Sequence, residues 1–354
     1  MSVLKNRGSA PIAHLCQLVV AIACVCESAR ASQSCLPDLD ESGEVDFGDV
    51  VCTLIEFGPC PSGTACAADL DGSGVVDLGD VVMTLINFGN CPWYLALEQS
   101  PSAAVVPNAA LRAAITATGM PWRVRDNGTG IEMVLIPPGT FTMGCSASGY
   151  SCNSDESPRH DVTLTNAFYM SRTEVTQAQW VAKMGSNPSA FTGDTKRPVE
   201  RVSWNDLQPF CTATGLRLPT EAEWEFAYRA GTSTAFHGTP AASQGTDDDS
   251  LIGNIAWYYF GGANQTHPVA TKAANGFGLH DMAGNVLEWC QDRYGTYSSS
   301  AQTNPTGPAT GSNRVLRGGS WYHVSDFCRA SYRSLFFAPD ARDSRAGFRV
   351  VRNP

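Results

Sequence analysis

Residues 314–349 read RVLRGGSWYHVSDFCRASYRSLFFAPDARDSRAGFR, and the two adjacent glycines near the start of this stretch set its shape. Gly318 and Gly319 permit a turn and a close backbone approach that a Cβ would forbid. They place Ser320, Trp321, Tyr322, His323 and Cys328 just beyond, as the floor of a pocket. A hydroxyl, aromatic rings, an imidazole and a thiol within nine residues supply hydrogen bonds, a base and a soft ligand.

The stretch resembles the C-terminal signature of the formylglycine-generating enzyme, or sulfatase-modifying factor, family. The likeness lies in the Gly-Gly-Ser-aromatic start, the cysteine-bearing loop and the closing Gly347-Phe348-Arg349. It implies an α+β, loop-rich fold related to C-type lectins. In the family, two cysteines five positions apart hold Cu⁺ and meet a substrate cysteine, and soft thiolates suit that ion. Here Cys328 stands at the second position and His323 at the first, while Ser320 is kept. The resemblance therefore implies Ser320, His323 and Cys328 as the catalytic positions, with a degenerate copper site. A tryptophan that the active enzymes carry beside the pocket is replaced by Leu287.

The 354 residues suffice for one large domain and a small one, and 43% hydrophobic content permits a sizeable core. Residues 1–31 read as a secretory signal peptide: Lys5 and Arg7 lead, an apolar run follows, and Ala29-Arg-Ala31 supplies a cleavage site. The expected product is secreted, periplasmic or on the cell surface, with no membrane span, since no later run approaches the roughly 20 apolar residues required. Its net charge of −10 is local: eleven acidic residues and no Lys or Arg lie between Ser32 and Pro92. No basic cluster suggests nucleic acid.

That acidic segment is an internal repeat. Asp38, Asp40, Ser42, Asp46 and Asp49 recur thirty-one residues on as Asp69, Asp71, Ser73, Asp77 and Asp80. These are positions 1, 3, 5, 9 and 12 of a twelve-residue loop that wraps Ca²⁺, with Gly43 and Gly74 at the sharp turn and the Glu44 and Val75 carbonyls at position 7. A helical apolar pattern follows each loop, through Val50, Val51, Leu54 and Phe57, then Val81, Val82, Leu85 and Phe88. A loop with one helix, in tandem over residues 32–92, resembles a dockerin pair and implies a cohesin-like partner. Cys35 with Cys60 and Cys66 with Cys91 flank the two copies as candidate disulfides, an inter-repeat pairing being the alternative.

Residues 93–122 read as an Ala, Ser and Pro-rich linker with a short helix over 108–118, and the large domain as 123–352. Residues 131–144, broken by Pro137-Pro-Gly139, read as two strands and a turn. Cys145 and Cys152 suit a local disulfide. A helix should start at Thr176, and another at Thr220, where Glu223 completes a capping box. The family phrase over Gly278–Trp289 implies a second Ca²⁺ held by Asp281, the Gly284 and Val286 carbonyls and Glu288. Cys290 and Cys328 are candidates for a disulfide or close thiol pair; a rebuilt dithiolate copper site is the alternative.

Two functions from different classes follow. One is an exported binding or accessory module that takes a peptide or glycan at the aromatic pocket and is tethered through its calcium repeats. The other is a formylglycine-generating oxidase acting on a sulfatase cysteine with O₂ and copper. An iron-dependent, sulfoxide-forming relative is a remote third reading, since neither a His-x-x-x-His-x-Glu motif nor a helical partner domain stands in the sequence.

Overall fold

The computed structural model describes residues 49–50, 53–54, 58–59, 75–86, 93–146, 150–239, 245–334 and 337–354. The chain divides into two compact units, residues 1–95 and 96–354. The signal stretch, the loop positions Asp38, Asp40, Ser42, Glu44, Asp46, Asp69, Asp71 and Ser73, and Cys35, Cys60, Cys66 and Cys91 lie outside the described residues.

In the first unit, the helix expected after the second loop runs Leu78–Ile86. Asp80 lies in its first turn and accepts from the Asp77 N–H at 2.7 Å, while Asp77 accepts from the Gly79 N–H at 2.6 Å. These carboxylates satisfy N–H groups that a helix start leaves unpaired. Asp49 and Asp80, the two twelfth positions, are both buried. Val75 belongs to a short strand, Val75–Val76, that pairs antiparallel with Gly58–Pro59.

The second unit is a loop-rich assembly of small sheets and short helices. Its strands are β1 (Tyr94–Glu98, within which the division falls), β2 (Arg123–Asp126), β3 (Glu132–Ile136), β4 (Gly139–Met143), β5 (His160–Leu164), β6 (Phe168–Ser171), β7 (Ala256–Trp257), β8 (Ala283–Gly284), β9 (Leu287–Arg293), β10 (Gln302–Thr303), β11 (Arg314–Arg317), β12 (Ala346–Gly347) and β13 (Val351–Arg352). Its helices are α1 (Ala109–Ala117), α2 (Gln177–Met184), α3 (Trp204–Thr214) and α4 (Glu221–Arg229). The largest sheet has the order β13-β6-β3-β2-β1; β10-β5-β4 and β11-β9-β12 form three-stranded sheets, and β8 pairs with β7.

The apolar run of β3 pairs Val134 with Met170 and Ile136 with Phe168, and these side chains are buried on the largest sheet. Pro137-Pro138 then breaks the ladder, because proline has no N–H to give. The chain leaves that sheet there and enters the next one as β4. Residues 93–122 hold the expected short helix, α1, capped by Asn108, together with an edge strand, and Val106, Ile115 and Trp122 are buried. An Ala-rich composition hid the few apolar positions that anchor them.

Helix α4 starts as its sequence predicts: Thr220 accepts from the Glu223 N–H at 3.1 Å, and Glu223 accepts from the Thr220 N–H at 2.8 Å. Glu221 and Glu225, on either side of the capping glutamate, have a separate task. Both are buried and face Arg229, Arg317 and Arg333. Glu225 accepts from Arg229 Nε at 2.9 Å and ion-pairs with Arg317, and Glu221 accepts from Arg333 Nε at 2.6 Å and Nη2 at 3.0 Å. Burial pushes the Glu221 carboxyl up, but Arg333 and Arg317 outweigh it and hold it below the usual range.

Arg317 joins this ladder to the loop of interest. Its Nη1 donates to the carbonyls of Ser331 (2.7 Å) and Tyr332 (2.6 Å), and its Nη2 to that of Ala330 (2.9 Å). One side chain therefore closes residues 318–329 into a loop. Removing one partner of a buried ion pair typically costs about 3–5 kcal/mol. Glu225→Gln, which strands two guanidiniums, should lower the unfolding free energy in urea by that amount; a loss under about 1 kcal/mol would show that the ladder is dispensable.

Candidate functional site

The closed loop opens with Gly318 and Gly319 at φ +94° and +74°, the left-handed region expected of them. A Cβ on Gly319 would lie 2.6 Å from Cys328 Sγ, so the glycine is what lets the thiol approach the backbone. Ser320 and Cys328 are buried, and His323 is half-buried between them in sequence. The Ser320 hydroxyl lies 2.7 Å from His323 Nδ1, and the His323 N–H donates to the Ser320 carbonyl at 3.0 Å. The imidazole stacks on Phe327 with ring centres 5.0 Å apart. Tyr228 on α4 donates its hydroxyl to the Cys328 carbonyl at 2.7 Å, fixing the far end of the loop.

The electrostatics of the three positions favour neutral forms. Burial, softened by backbone N–H groups of Gly284 and Ser320, pushes the Cys328 thiol up to about 12. Burial, aided by Arg345, pulls the His323 imidazole down to about 4. At neutral pH the loop presents a thiol and a neutral imidazole.

A cuprous ion does not fit this donor set. Linear Cu⁺ coordination by the family pattern needs two soft thiolates, and here one is a protonated, enclosed thiol and the other an imidazole whose Nδ1 is taken by Ser320. The Cys290–Cys328 bond expected from the sequence is absent, since both cysteines are free and buried. Cys290 is sealed instead within β9, its carbonyl accepting from Trp204 Nε1 at 3.1 Å. Cys145 and Cys152 do form the expected disulfide, with Cα atoms 5.8 Å apart.

The phrase proposed for calcium lies beneath this loop. The Gly284 N–H donates to the Gly318 carbonyl at 2.8 Å, and Trp321 N–H to the Asn285 carbonyl at 2.9 Å. Glu288 is committed: Arg349 Nε and Nη2 donate to it at 2.6 and 2.8 Å, and Trp224 Nε1 at 2.6 Å. Asp281 accepts from the Ala270 N–H at 2.7 Å through one oxygen, and its other oxygen is buried without a partner. Burial holds Asp281 up at about 6. Burial, then Asp281 and Glu288, raise Glu174 well above the usual range, while it accepts from the Val286 N–H at 3.0 Å. Three buried carboxyls thus share one guanidinium, an excess of acid that a hard divalent cation at the unpaired Asp281 oxygen would relieve. Among the described residues no three His, Cys, Asp or Glu side chains converge on one metal-sized point, so carbonyl oxygens would have to complete such a site.

Sequence reasoning missed the outer face of the loop. Tyr259 donates its N–H to the His323 carbonyl at 3.0 Å. Tyr259, Phe260 and Tyr322 are 49%, 73% and 51% exposed, a concentration of uncovered aromatic surface. Asp249, bonded by Ser325 at 3.3 Å, and Asp326, bonded by Tyr150 at 2.9 Å, place two exposed carboxylates at this end of the loop. Arg345, whose guanidinium lies 5.4 Å from the Tyr322 ring, is spent on Asp343. The run Trp257-Tyr-Tyr-Phe260 before Gly261-Gly262 was the available signal.

Residues 121–354 match the family model described as the sulfatase-modifying factor enzyme 1-like domain. The chain is 37% identical over 190 residues to the formylglycine-generating enzyme of Thermomonospora curvata, an alignment that covers 50% of this chain and 62% of that one. It is 35% identical over 250 residues to the serine/threonine-protein kinase pkn1 of Chlamydia caviae, covering 62% of this chain and 38% of that protein. The chain thus spans under two thirds of the length of both relatives. Among solved structures, Treponema denticola variable protein 1 superposes with a TM-score of 0.55 at 32% identity, covering 63% of this chain and 95% of that one.

Raising a thiol from its ordinary value of 9 to about 12 cuts its thiolate fraction, and hence its alkylation rate, by roughly a thousandfold. Iodoacetamide at pH 8 should therefore label Cys328 in urea and leave it unlabelled in the native protein, as read by peptide mass mapping. Native labelling at the denatured rate would contradict an enclosed thiol.

Proposed function

Because the chain belongs to the sulfatase-modifying factor enzyme 1-like family yet carries an imidazole at one of the two thiol positions, we propose that its large unit is a binding module rather than a copper oxidase. The observation that carries this reading is the Ser320–His323 hydrogen bond, at 2.7 Å, standing where a second sulfur would have to be. The ligand we infer is a polypeptide segment bearing basic and apolar side chains. The exposed rings of Tyr259, Phe260 and Tyr322 offer apolar area, and Asp249 and Asp326 offer charge complementary to Lys or Arg.

The same proposal extends to the first unit and the leader. Residues 1–31 export the chain, and the two acidic loops of residues 32–92 bind Ca²⁺ and tether the protein to a cohesin-like partner. A structural Ca²⁺ at the unpaired Asp281 oxygen, completed by the Gly284 and Val286 carbonyls while Glu288 stays paired with Arg349, fits the excess of buried acid described above. When bound, that ion neutralises the carboxyls and braces the segment beneath Gly318. Chelation of the full-length protein should lower its melting temperature, and Ca²⁺ but not Na⁺ should restore it; an unchanged melt would remove the calcium sites.

The family relation favours the oxidase as a second reading, and one experiment separates the two. A Cys-x-Pro-x-Arg peptide incubated with copper-treated protein and O₂ should keep its cysteine mass, while fluorescence anisotropy shows the peptide bound and its affinity cut at least about tenfold by Phe260→Ala with Tyr322→Ala. Formation of the aldehyde product would establish the oxidase and overturn the binding-module reading.

A further inference from the structure

A cleft of about 410 Å³ opens elsewhere on the large unit, lined by residues 292–293, 295–298, 302 and 304–308 together with His160, Glu221 and Arg333. None of its lining residues belongs to the 318–329 loop. Its volume falls within the range of roughly 300–1,000 Å³ common for small-molecule sites.

The polar groups around it are of two kinds. Glu221 takes two bonds from Arg333, whose Nη1 also donates to the carbonyls of Asp155 (3.1 Å) and Gly295 (2.9 Å), and Arg293 Nη1 donates to the Gly311 carbonyl. Three others keep an atom without a protein partner. Asp292, 3% exposed, accepts from the Glu221 N–H at 2.9 Å through one oxygen only. Gly307, at φ +74°, leaves the space over the other oxygen open, since a Cβ there would sit 3.1 Å from it. His160 Nδ1 lies 3.1 Å from the Pro158 carbonyl and so carries the hydrogen, which leaves Nε2 as an acceptor. Gln302 spends its amide N–H groups on Ser300 and Ala301, leaving its carbonyl oxygen.

We propose that this cleft binds a neutral, hydroxyl-rich small molecule of about the size of one sugar ring. A hydroxyl both donates and accepts, which meets the unpaired oxygens of Asp292 and Gln302 and the lone pair of His160. A cationic ligand would face Arg293 and Arg333, and an anionic one the Glu221 carboxylate. Burial, then Glu221, pushes the Asp292 carboxyl up to about 8, so at physiological pH that group is largely protonated and can donate as well as accept.

The test is isothermal titration calorimetry of the full-length protein with glucose, galactose, mannose and N-acetylglucosamine, and with methylammonium and acetate as charged probes. At least one sugar should bind saturably with a dissociation constant of about 1 mM or tighter, and both charged probes should fail. Thr306→Trp, at an exposed rim position, and Gln302→Leu, which removes one acceptor, should each weaken that sugar at least about tenfold with an unchanged melting temperature. Tyr322→Ala should leave it untouched, which separates this site from the peptide face. The proposal is overturned if all four sugars fail up to about 20 mM, if a charged probe binds better, or if the sugar binds both rim variants as well as wild type.

Discussion

Arg317 carries a guanidinium that is fully buried, and the chemistry of the large unit depends on where its hydrogen bonds go. Nη2 pairs with Glu225 on α4 and holds the Ala330 carbonyl, Nη1 holds the carbonyls of Ser331 and Tyr332, and Nε is buried without a partner. Residue 317 ends β11, so the same side chain grips both ends of the intervening loop and clamps it to the helix. A buried guanidinium tolerates little movement, because each donor that loses its acceptor leaves charge in a medium that solvates it poorly. The loop is thereby held in one shape, with its two glycines, its serine and its cysteine pressed against the segment that ends in Glu288.

Close packing at that point has a chemical consequence. Gly319 brings Cys328 Sγ against the backbone, and backbone N–H groups of Ser320 and Gly284 face the sulfur. Enclosure of this kind disfavours the charged form, and the neighbouring Arg329, already paired with Glu156, does not offset it, so the thiol stays protonated. The imidazole that accompanies it is held by the Ser320 hydroxyl and by the Phe327 ring. Both groups are therefore well positioned and chemically quiet, while the reactive-looking surface lies outside, in the uncovered rings of Tyr259, Phe260 and Tyr322.

Local features of the fold were legible in the sequence because local physics determines them. The capping box at Thr220 and Glu223, the turn at Pro137-Pro138 and the positive φ angles of Gly318 and Gly319 each follow from residues within a few positions of one another. Long-range partnerships were not legible. Glu221 and Glu225 look like ordinary helix acids, and nothing near them announces Arg317 and Arg333, 92 and 112 residues away. Glu288 stands at a calcium position in the family resemblance but pairs with Arg349, and Cys290 and Cys328, candidates for a bond, are both free and buried. In residues 93–122 the short helix was legible, whereas the edge strand and the burial of Val106, Ile115 and Trp122 were not, because an alanine-rich segment shows few of its buried contacts in composition.

One measurement addresses the central claim, that this member of its family lacks the pair of sulfurs needed to hold a cuprous ion. Copper K-edge X-ray absorption on the protein reconstituted with Cu⁺ under anaerobic conditions counts sulfur neighbours directly. With His323 in place of a thiol and Cys328 enclosed, any bound copper should show nitrogen or oxygen neighbours and at most one sulfur. A two-coordinate centre with two sulfur neighbours would contradict the claim.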